Sequence, residues 1–421
     1  MRKVIGTYHI SISDGGIQKV TSLLIERWQE MGYSVVLFTD EQPSERDYYI
    51  PKAVHRIVLS QDYDKAKQSV RAKQLYEAIT KFGIEFMVYH NWGNPNMSFD
   101  RDIFQNRGIP FVLYTHGVFS TFYHDRNVFT PVFVEELRKC DLVLCLTKVS
   151  RCFYDKLGIK SELIDNPLEA SLQNTERSAL IGNNILWIGR LSYEKKPDVA
   201  VRIFNEVRKA IPDAKLQMVG TGPEERKLKN LVRELGMQDD VEFCGYQTKT
   251  ERYYKNASLM LFTSEYEGYS LVLLESKAYG VPSVVFSLPY IPFQEEPEGM
   301  VVVPQDDIIK AAKEIINILR DVDYKRTLGE KAASSFERWK SYDFNGVWND
   351  IINRDYSTLD YKPMCGNEIL EKQMIELLLE HEEYGYANAI KELKNSLTYR
   401  LGEVILKYPK RFYDCFRKAL R

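Results

Sequence analysis

The chain alternates short β-rich runs with segments of helical spacing, and the alternation runs through twice. Val4 to Ile10 reads as a strand. Ile17 to Met31 follows with helical spacing (Ile17, Val20, Leu23, Leu24, Trp28) and Gly32 as its stop, and Ser34 to Thr39 is a second strand. Phe86 to His90, Pro110 to Thr115 and Leu142 to Leu146 are further strand candidates. The pattern restarts with strands at Asn184–Ile188, Lys215–Val219, Val241–Cys244, Ser258–Phe262 and Ser283–Phe286. Helices are predicted at Asp198–Lys209, Glu224–Leu235 and Ser270–Tyr279, then at Asp307–Leu319, Tyr324–Trp339 and Tyr342–Asn353. Strands alternating with helices imply parallel βαβ units. Two such halves of similar length predict two Rossmann-like domains, joined across the polar segment from Asn166-Pro167 to Asn183.

Composition removes several function classes. The 421 residues allow two or three domains. The 57 Lys and Arg against 59 Asp and Glu give a formal net charge of -2, so no basic surplus is left for binding nucleic acid. The six cysteines form no C-x-x-C pair, which predicts free thiols in a reducing compartment. The apolar run after Met1-Arg2-Lys3 is short and polar for a signal peptide, and no stretch approaches a membrane span. The expected location is the cytoplasm, with peripheral contact to the inner membrane face as an option.

In open α/β sheets ligands bind beyond the carboxyl ends of strands, so glycines and charges placed there carry the chemistry. Asp14-Gly15-Gly16-Ile17 lies between the first strand and first helix, where adjacent glycines serve equally as a turn or as a close approach to an anion. Gly189-Arg190 opens a loop whose Lys195 lies five residues further on; the two cations form a diphosphate clamp or a solvated loop. Glu267 precedes the predicted helix and Glu275 lies just over a turn inside it, flanking the amides of Tyr269, Ser270 and Leu271. That arrangement suits an anion between hydroxyl-binding carboxylates, or simply complements a helix dipole. His116 ends a strand, as do His9 and His90, a position in which histidines are often structural.

These motifs, in this order, resemble the retaining GT-B glycosyltransferases that use nucleotide sugars. Glu267 and Glu275 match the family's E-x(7)-E, and Gly189, Arg190, Glu194 and Lys195 match its G-R-x(3)-E-K. Gly15-Gly16, the Val219-Gly220-Thr221-Gly222-Pro223 turn and the run Glu275 to Val284 match as well. The resemblance covers about residues 3 to 354 and implies an α/β fold of two Rossmann-like domains facing each other across a cleft. It implies an acceptor-side domain at 1–167, a nucleotide-sugar domain at 168–340, a helix at 341–358 returning to the first domain, and a helical tail at 359–421. It further implies that Arg190 and Lys195 hold the diphosphate in place of a metal, Glu275 the ribose, and Glu267 the transferred sugar near its reacting carbon. His116 would face the sugar across the cleft. Gly15, Gly16, Gly189 and Gly220 would allow close approach to the donor, and the backbone from Tyr269 through Ser270 and Leu271 to Val272 would touch sugar and phosphate. The resemblance implies no cofactor beyond the donor, a UDP-sugar by family precedent, and a glycan or lipid-linked acceptor.

Two departures stand out. The loop Ser287 to Gln294 lacks the family's glycines, and Asn166-Pro167 replaces its usual Asn-Gly. Three Asp-x-Asp patterns (Asp62/Asp64, Asp100/Asp102, Asp321/Asp323) could suggest metal chemistry, but their abundance makes the pattern cheap, and no metal is expected. The rival readings are a non-catalytic nucleotide-sugar-binding partner and an epimerase of the same architecture; a phosphorylase would need a pyridoxal-phosphate lysine context that is not found. In the tail, an acidic stretch with Ile369, Leu370, Ile375, Leu377, Leu378 and Leu379 gives way after Thr398 to basic residues interleaved with aromatics. That terminus suits an anionic membrane surface, or equally a docking or oligomer contact.

Overall fold

The computed structural model describes residues 3–60, 65–90, 93–119, 131–295, 297–358, 361–363 and 367–377. Among these residues two all-parallel sheets form. The first contains β1 (Val4–Tyr8), β2 (Ser34–Thr39), β3 (His55–Val58), β4 (Ile84–Tyr89), β5 (Phe111–Tyr114), β6 (Leu142–Cys145) and β7 (Ser161–Leu163), in the spatial order β3-β2-β1-β4-β5-β6-β7. The second contains β8 (Asn184–Ile188), β9 (Lys215–Val219), β10 (Val241–Gly245), β11 (Leu259–Phe262), β12 (Ser283–Phe286) and β13 (Met300–Val303), in the order β10-β9-β8-β11-β12-β13. Central strands such as Phe111–Tyr114 and Leu259–Phe262 are buried along their whole length, as a parallel sheet covered on both faces requires.

The direction of strand order reverses between β1 and β4 in the first sheet and between β8 and β11 in the second. Each reversal leaves a crevice outside the strands' carboxyl ends, because neighbouring crossovers diverge to opposite sides there. The loops bearing Gly15-Gly16, Arg190 and Glu267 all leave strands that flank these two reversals.

Three strands lie outside the sequence expectation: β3, β7 and β13, each at a sheet edge. β3 begins with His55 and Arg56 and β7 has only three residues, so neither shows the apolar run of a central strand; β13 is apolar throughout. The first strand ends at Tyr8 rather than Ile10, because the chain turns at His9, whose Nδ1 lies 2.6 Å from the Ser11 carbonyl.

The helix Phe344–Asn353 lies on the first domain. Trp348 packs edge-on against Trp28 at 4.9 Å, Tyr33 Oη donates to Asn349 Oδ1 at 2.9 Å, and Lys3 Nζ donates to the Ile352 carbonyl at 2.9 Å. A helical segment at 368–377 follows, held to the first domain by the Lys156–Glu371 pair at 2.7 Å. Leu370 and Leu377 are buried, whereas Ile369 and Ile375 are 72% and 52% exposed, so only one stripe of the expected apolar set faces inward. Leu378, Leu379 and the basic terminus after Thr398 lie outside the described residues. Cys140, Cys145 and Cys152 are buried free thiols and Cys244 is a half-buried one; Cys365 and Cys415 fall outside the described residues.

Candidate active site

The second domain brings two loops together at its strand-order reversal. After β8 the chain passes Gly189 and Arg190 into a single 3-10 turn, Tyr193–Lys195. Lys196 then takes a left-handed conformation (φ 46°) and starts the helix Pro197–Ala210. After β11 the loop reaches Ser270, also left-handed (φ 74°), which caps the helix Leu271–Ala278. Thr263 Oγ1 donates to the Lys195 carbonyl at 2.8 Å, and the Glu265 amide donates to the Glu194 carbonyl at 2.8 Å. These bonds stitch the loops together and bring Lys195 Nζ within 2.5 Å of Glu267 Oε1. The same carboxylate oxygen accepts from Ser264 Oγ at 2.9 Å, and the Glu267 amide donates to Tyr290 Oη at 3.2 Å.

Arg190 is exposed and forms no ion pair among the described residues. Its loop is overlaid by the β9 turn: a Cβ at Gly220 (φ 136°) would fall 1.9 Å from the Gly189 carbonyl oxygen, so only glycine fits. The amides of Tyr269, Ser270, Leu271 and Val272 have no backbone acceptor among the described residues, as expected at a helix start. Tyr269 itself is buried, and its hydroxyl donates to Asp165 Oδ1 of the interdomain segment at 3.1 Å.

Glu275 is held from both sides of the cleft. Tyr254 Oη donates to Glu275 Oε2 at 2.8 Å. Lys19 Nζ, in the first domain, donates to Glu275 Oε1 at 2.8 Å and pairs with Glu169 at 2.8 Å. Burial pulls the Lys19 pKa down, but Glu275 and Glu169 outweigh it and hold the ammonium well above its ordinary value. Lys19 lies in α1 (Gly16–Glu30), whose entry is the glycine pair. Asp14 and Gly15 both have positive φ (47° and 145°), whereas a Cβ on Gly16 would meet no atom within 4 Å.

His116 stands at the seam between the domains. A Cβ on Gly268, next to Glu267, would fall 1.7 Å from the His116 carbonyl oxygen, so the backbones of the two domains touch there. Its ring stacks on His90, with Nε2 2.9 Å from His90 Nδ1. Burial pushes the His116 pKa down to about 3 and that of His9 to about 4.

The Asp-x-Asp patterns have other partners. Asp100 is buried against the Arg71 guanidinium at 2.7 Å, and Asp102 accepts from Arg101 at 2.7 Å. Asp321 caps the helix Val322–Lys340, and Asp62 and Asp64 lie outside the described residues. The described residues contain no group of three or more His, Cys, Asp or Glu side chains arranged to hold a metal. A cavity of about 730 Å³ lies between the Leu288–Tyr290 loop and Leu377; Lys196, Glu265 and Tyr290 line it beside the two site loops, and it includes neither Arg190 nor Glu275.

The structure thus brings Lys195 to Glu267, sets His116 beside Gly268, and places Glu275 against α1. Sequence reasoning did not single out Lys19, Glu169, Tyr254 or Tyr290. Lys19 follows the Gly15-Gly16 pair by one turn of helix, a spacing that could have drawn notice. Tyr290 falls in the Ser287 to Gln294 loop and Glu169 just after Asn166-Pro167, segments noted only for their departure from the family pattern, and Tyr254 lies outside every motif.

Two α/β domains with facing carboxyl-end crevices define the GT-B class of sugar transferase. The Glycosyltransferase Family 4 model matches residues 14–171, and the model for Glycosyl transferases group 1 matches residues 174–335. The chain belongs to the group 1 glycosyltransferases of GT-B type. An uncharacterized glycosyltransferase of Haemophilus influenzae is 26% identical over 290 residues, covering 68% of this chain and 81% of that protein. An exopolysaccharide phosphotransferase of Streptomyces coelicolor is 30% identical over 187 residues, which are 44% of this chain but only 20% of that protein. S. aureus TarM, solved with Fondaparinux, alpha-GlcNAc-glycerol and UDP, shares the fold with a TM-score of 0.69 at 13% identity, covering 84% of this chain and 100% of that chain.

Proposed function

We propose that the protein transfers a glycosyl group from a nucleoside diphosphate sugar, with UDP as the nucleotide, to a hydroxyl of a glycan or lipid-linked acceptor, with retention at the anomeric carbon. The observation that carries this reading is the Lys195–Glu267 contact beside the unpaired Arg190, at the strand-order reversal of the second sheet. UDP is favoured because TarM was solved with it.

In the reaction the bond from the anomeric carbon to the diphosphate breaks and a bond to the acceptor oxygen forms on the same face. The acceptor proton passes to the departing phosphate oxygen. Negative charge grows on the diphosphate, where Arg190, Lys195 and the free amides at the start of the Leu271–Ala278 helix stabilise it. Donor binding separates Lys195 from Glu267, freeing the cation for phosphate and the carboxylate for sugar hydroxyls. Glu275 takes the ribose. The positive charge supplied by these side chains is what a divalent cation would otherwise provide, so activity should persist in EDTA.

Thermal shift against UDP-, GDP- and ADP-sugars tests the donor, since a bound ligand stabilises by mass action. Lys195→Ala or Glu275→Ala should weaken UDP binding at least tenfold, and Glu267→Ala should lower turnover by about 100-fold or more while affinity changes little. Parental rates in all three variants would remove the site assignment. Loss of activity in EDTA with recovery in Mn²⁺ would remove the metal-free mechanism. We assign the basic, aromatic terminus after Thr398 to contact with an anionic membrane at the inner face, where a lipid-linked acceptor resides. A chain ending at Asn395 should lose capture by anionic liposomes yet keep donor hydrolysis; unchanged capture speaks against the membrane role. No helix among the described residues is long and apolar enough to cross a membrane.

A further inference from the structure

Two buried polar groups beneath His116 have no part in the mechanism so far: His90, at the end of β4, and Thr7, in β1. Thr7 is fully buried, and its Oγ1 lies 3.1 Å from His90 Nε2. His90 Nδ1 lies 2.9 Å from His116 Nε2. The two rings are near parallel, with centroids 5.2 Å apart and planes at 27°. Three side chains from three adjacent strands therefore form a single file from the sheet interior to the cleft.

Both rings are neutral near pH 7, because burial pushes His116 down to about 3 and His90 well below its ordinary value. Each ring then has one N–H and one lone pair, and the file can run in only two directions. In one, His116 Nε2–H donates to His90 Nδ1 and His90 Nε2–H donates to Thr7 Oγ1. The Thr7 hydroxyl hydrogen is then left without an acceptor among the described residues, at a fully buried site. A buried donor left unmade is costly. In the other direction Thr7 Oγ1–H donates to His90 Nε2, and His90 Nδ1–H donates to His116 Nε2. Thr7 and His90 are then fully satisfied, and the remaining hydrogen of His116 stays on Nδ1.

We infer that Thr7 and His90 are positioning residues that hold His116 as its Nδ1–H tautomer, so that it offers a hydrogen-bond donor to an oxygen of the transferred sugar. His116 Nδ1 has no partner among the described residues; the residue is 8% exposed, and its carbonyl oxygen abuts Gly268, next to Glu267. A donor there is matched by a hydroxyl acting as acceptor or by a carboxylate on the sugar, and is wasted on a hydrogen pointing inward.

The role toward the sugar rests on the transfer reaction proposed above; the tautomer does not, and it is read with no substrate present. Long-range ¹H–¹⁵N spectra of the ligand-free, full-length protein labelled at histidine distinguish the two neutral tautomers, and His116→Gln assigns the signals. A His116 ring protonated on Nδ1 is expected; one protonated on Nε2 overturns the inference. Thr7→Val keeps the side-chain shape without the hydroxyl. It should give His116 mixed tautomers and lower kcat about tenfold, with the donor KM within about twofold, and Thr7→Ser should restore both. An unchanged His116 tautomer in Thr7→Val overturns the relay. If Thr7→Val does not fold, the parental spectrum alone decides.

Discussion

Lys195 and Lys19 are chemically identical, yet their surroundings assign them different work. Lys195 faces one carboxylate that a donor can replace. Lys19 faces two, Glu169 and Glu275, and the second is the carboxylate proposed for the ribose. The histidines show the opposite effect of surroundings, since burial favours their neutral forms. His116 is pushed to about 3 and His9 to about 4, from an unperturbed 6.5. Between those values the unfolded chain binds protons that the folded chain does not. The associated stability is therefore complete above about pH 6.5 and drains away as pH falls toward 4. At pH 5 the loss is about 2 kcal/mol for each such histidine. Thermal melting should show a marked drop in Tm from pH 7 to pH 5, with a shallower slope in His9→Gln. A pH-independent Tm over that range would contradict the burial argument.

At the scale of single elements, the turns leaving the strands decide what can approach the cleft. Two glycines separate packing from access. Gly268 abuts the His116 carbonyl, and the obstructing atom is backbone, which cannot swing aside. Gly268→Ala should therefore cost about 1–3 kcal/mol and disturb the domain seam. Gly16 has open space above it and no positive φ, so Gly16→Ala should leave Tm unchanged or slightly raised. If Gly16 approaches the donor diphosphate, the same methyl should raise the donor Kd several-fold. Calorimetric titration with UDP alongside melting curves separates the two effects. A Gly16→Ala protein with normal donor affinity would reduce that glycine to a turn.

Across the whole molecule, the first domain grips the second through α1. A cation near the start of a helix opposes the macrodipole by about 0.3–1 kcal/mol. Lys19 occupies such a place because Glu169 and Glu275 neutralise it, and the outcome is a contact spanning both domains and the segment between them. Lys19→Ala would remove the tie from α1 to Glu169 and Glu275 and leave both carboxylates without their cation. The ligand-free protein should then open, with a larger radius of gyration by small-angle scattering; an unchanged radius would show that Lys19 does not hold the domains. The helix Phe344–Asn353 supplies a second tie through Trp348 and Trp28 that this substitution leaves intact, so opening should be a hinge motion rather than separation.

The sequence by itself determined the local order. Ser34–Thr39, Asn184–Ile188, Lys215–Val219 and Ser283–Phe286 were legible to the residue, because buried parallel strands are apolar runs bounded by polar or glycine stops. Position along the chain marked Arg190, Lys195 and Glu267 as residues of loops that follow strands and Glu275 as a residue of the next helix, while their roles came only from the family resemblance. β3 and β7 escaped because they are short and carry polar residues (His55-Arg56 and Ser161-Glu162), whereas the edge strand β10 was read. Contacts between distant segments were beyond reach for a different reason. The Lys19–Glu275 pair joins residues 256 positions apart, and the Thr7–His90–His116 file depends on which strands are neighbours in the sheet. Strand order and domain closure are set by packing and burial across the whole chain, and only the tertiary structure could decide them.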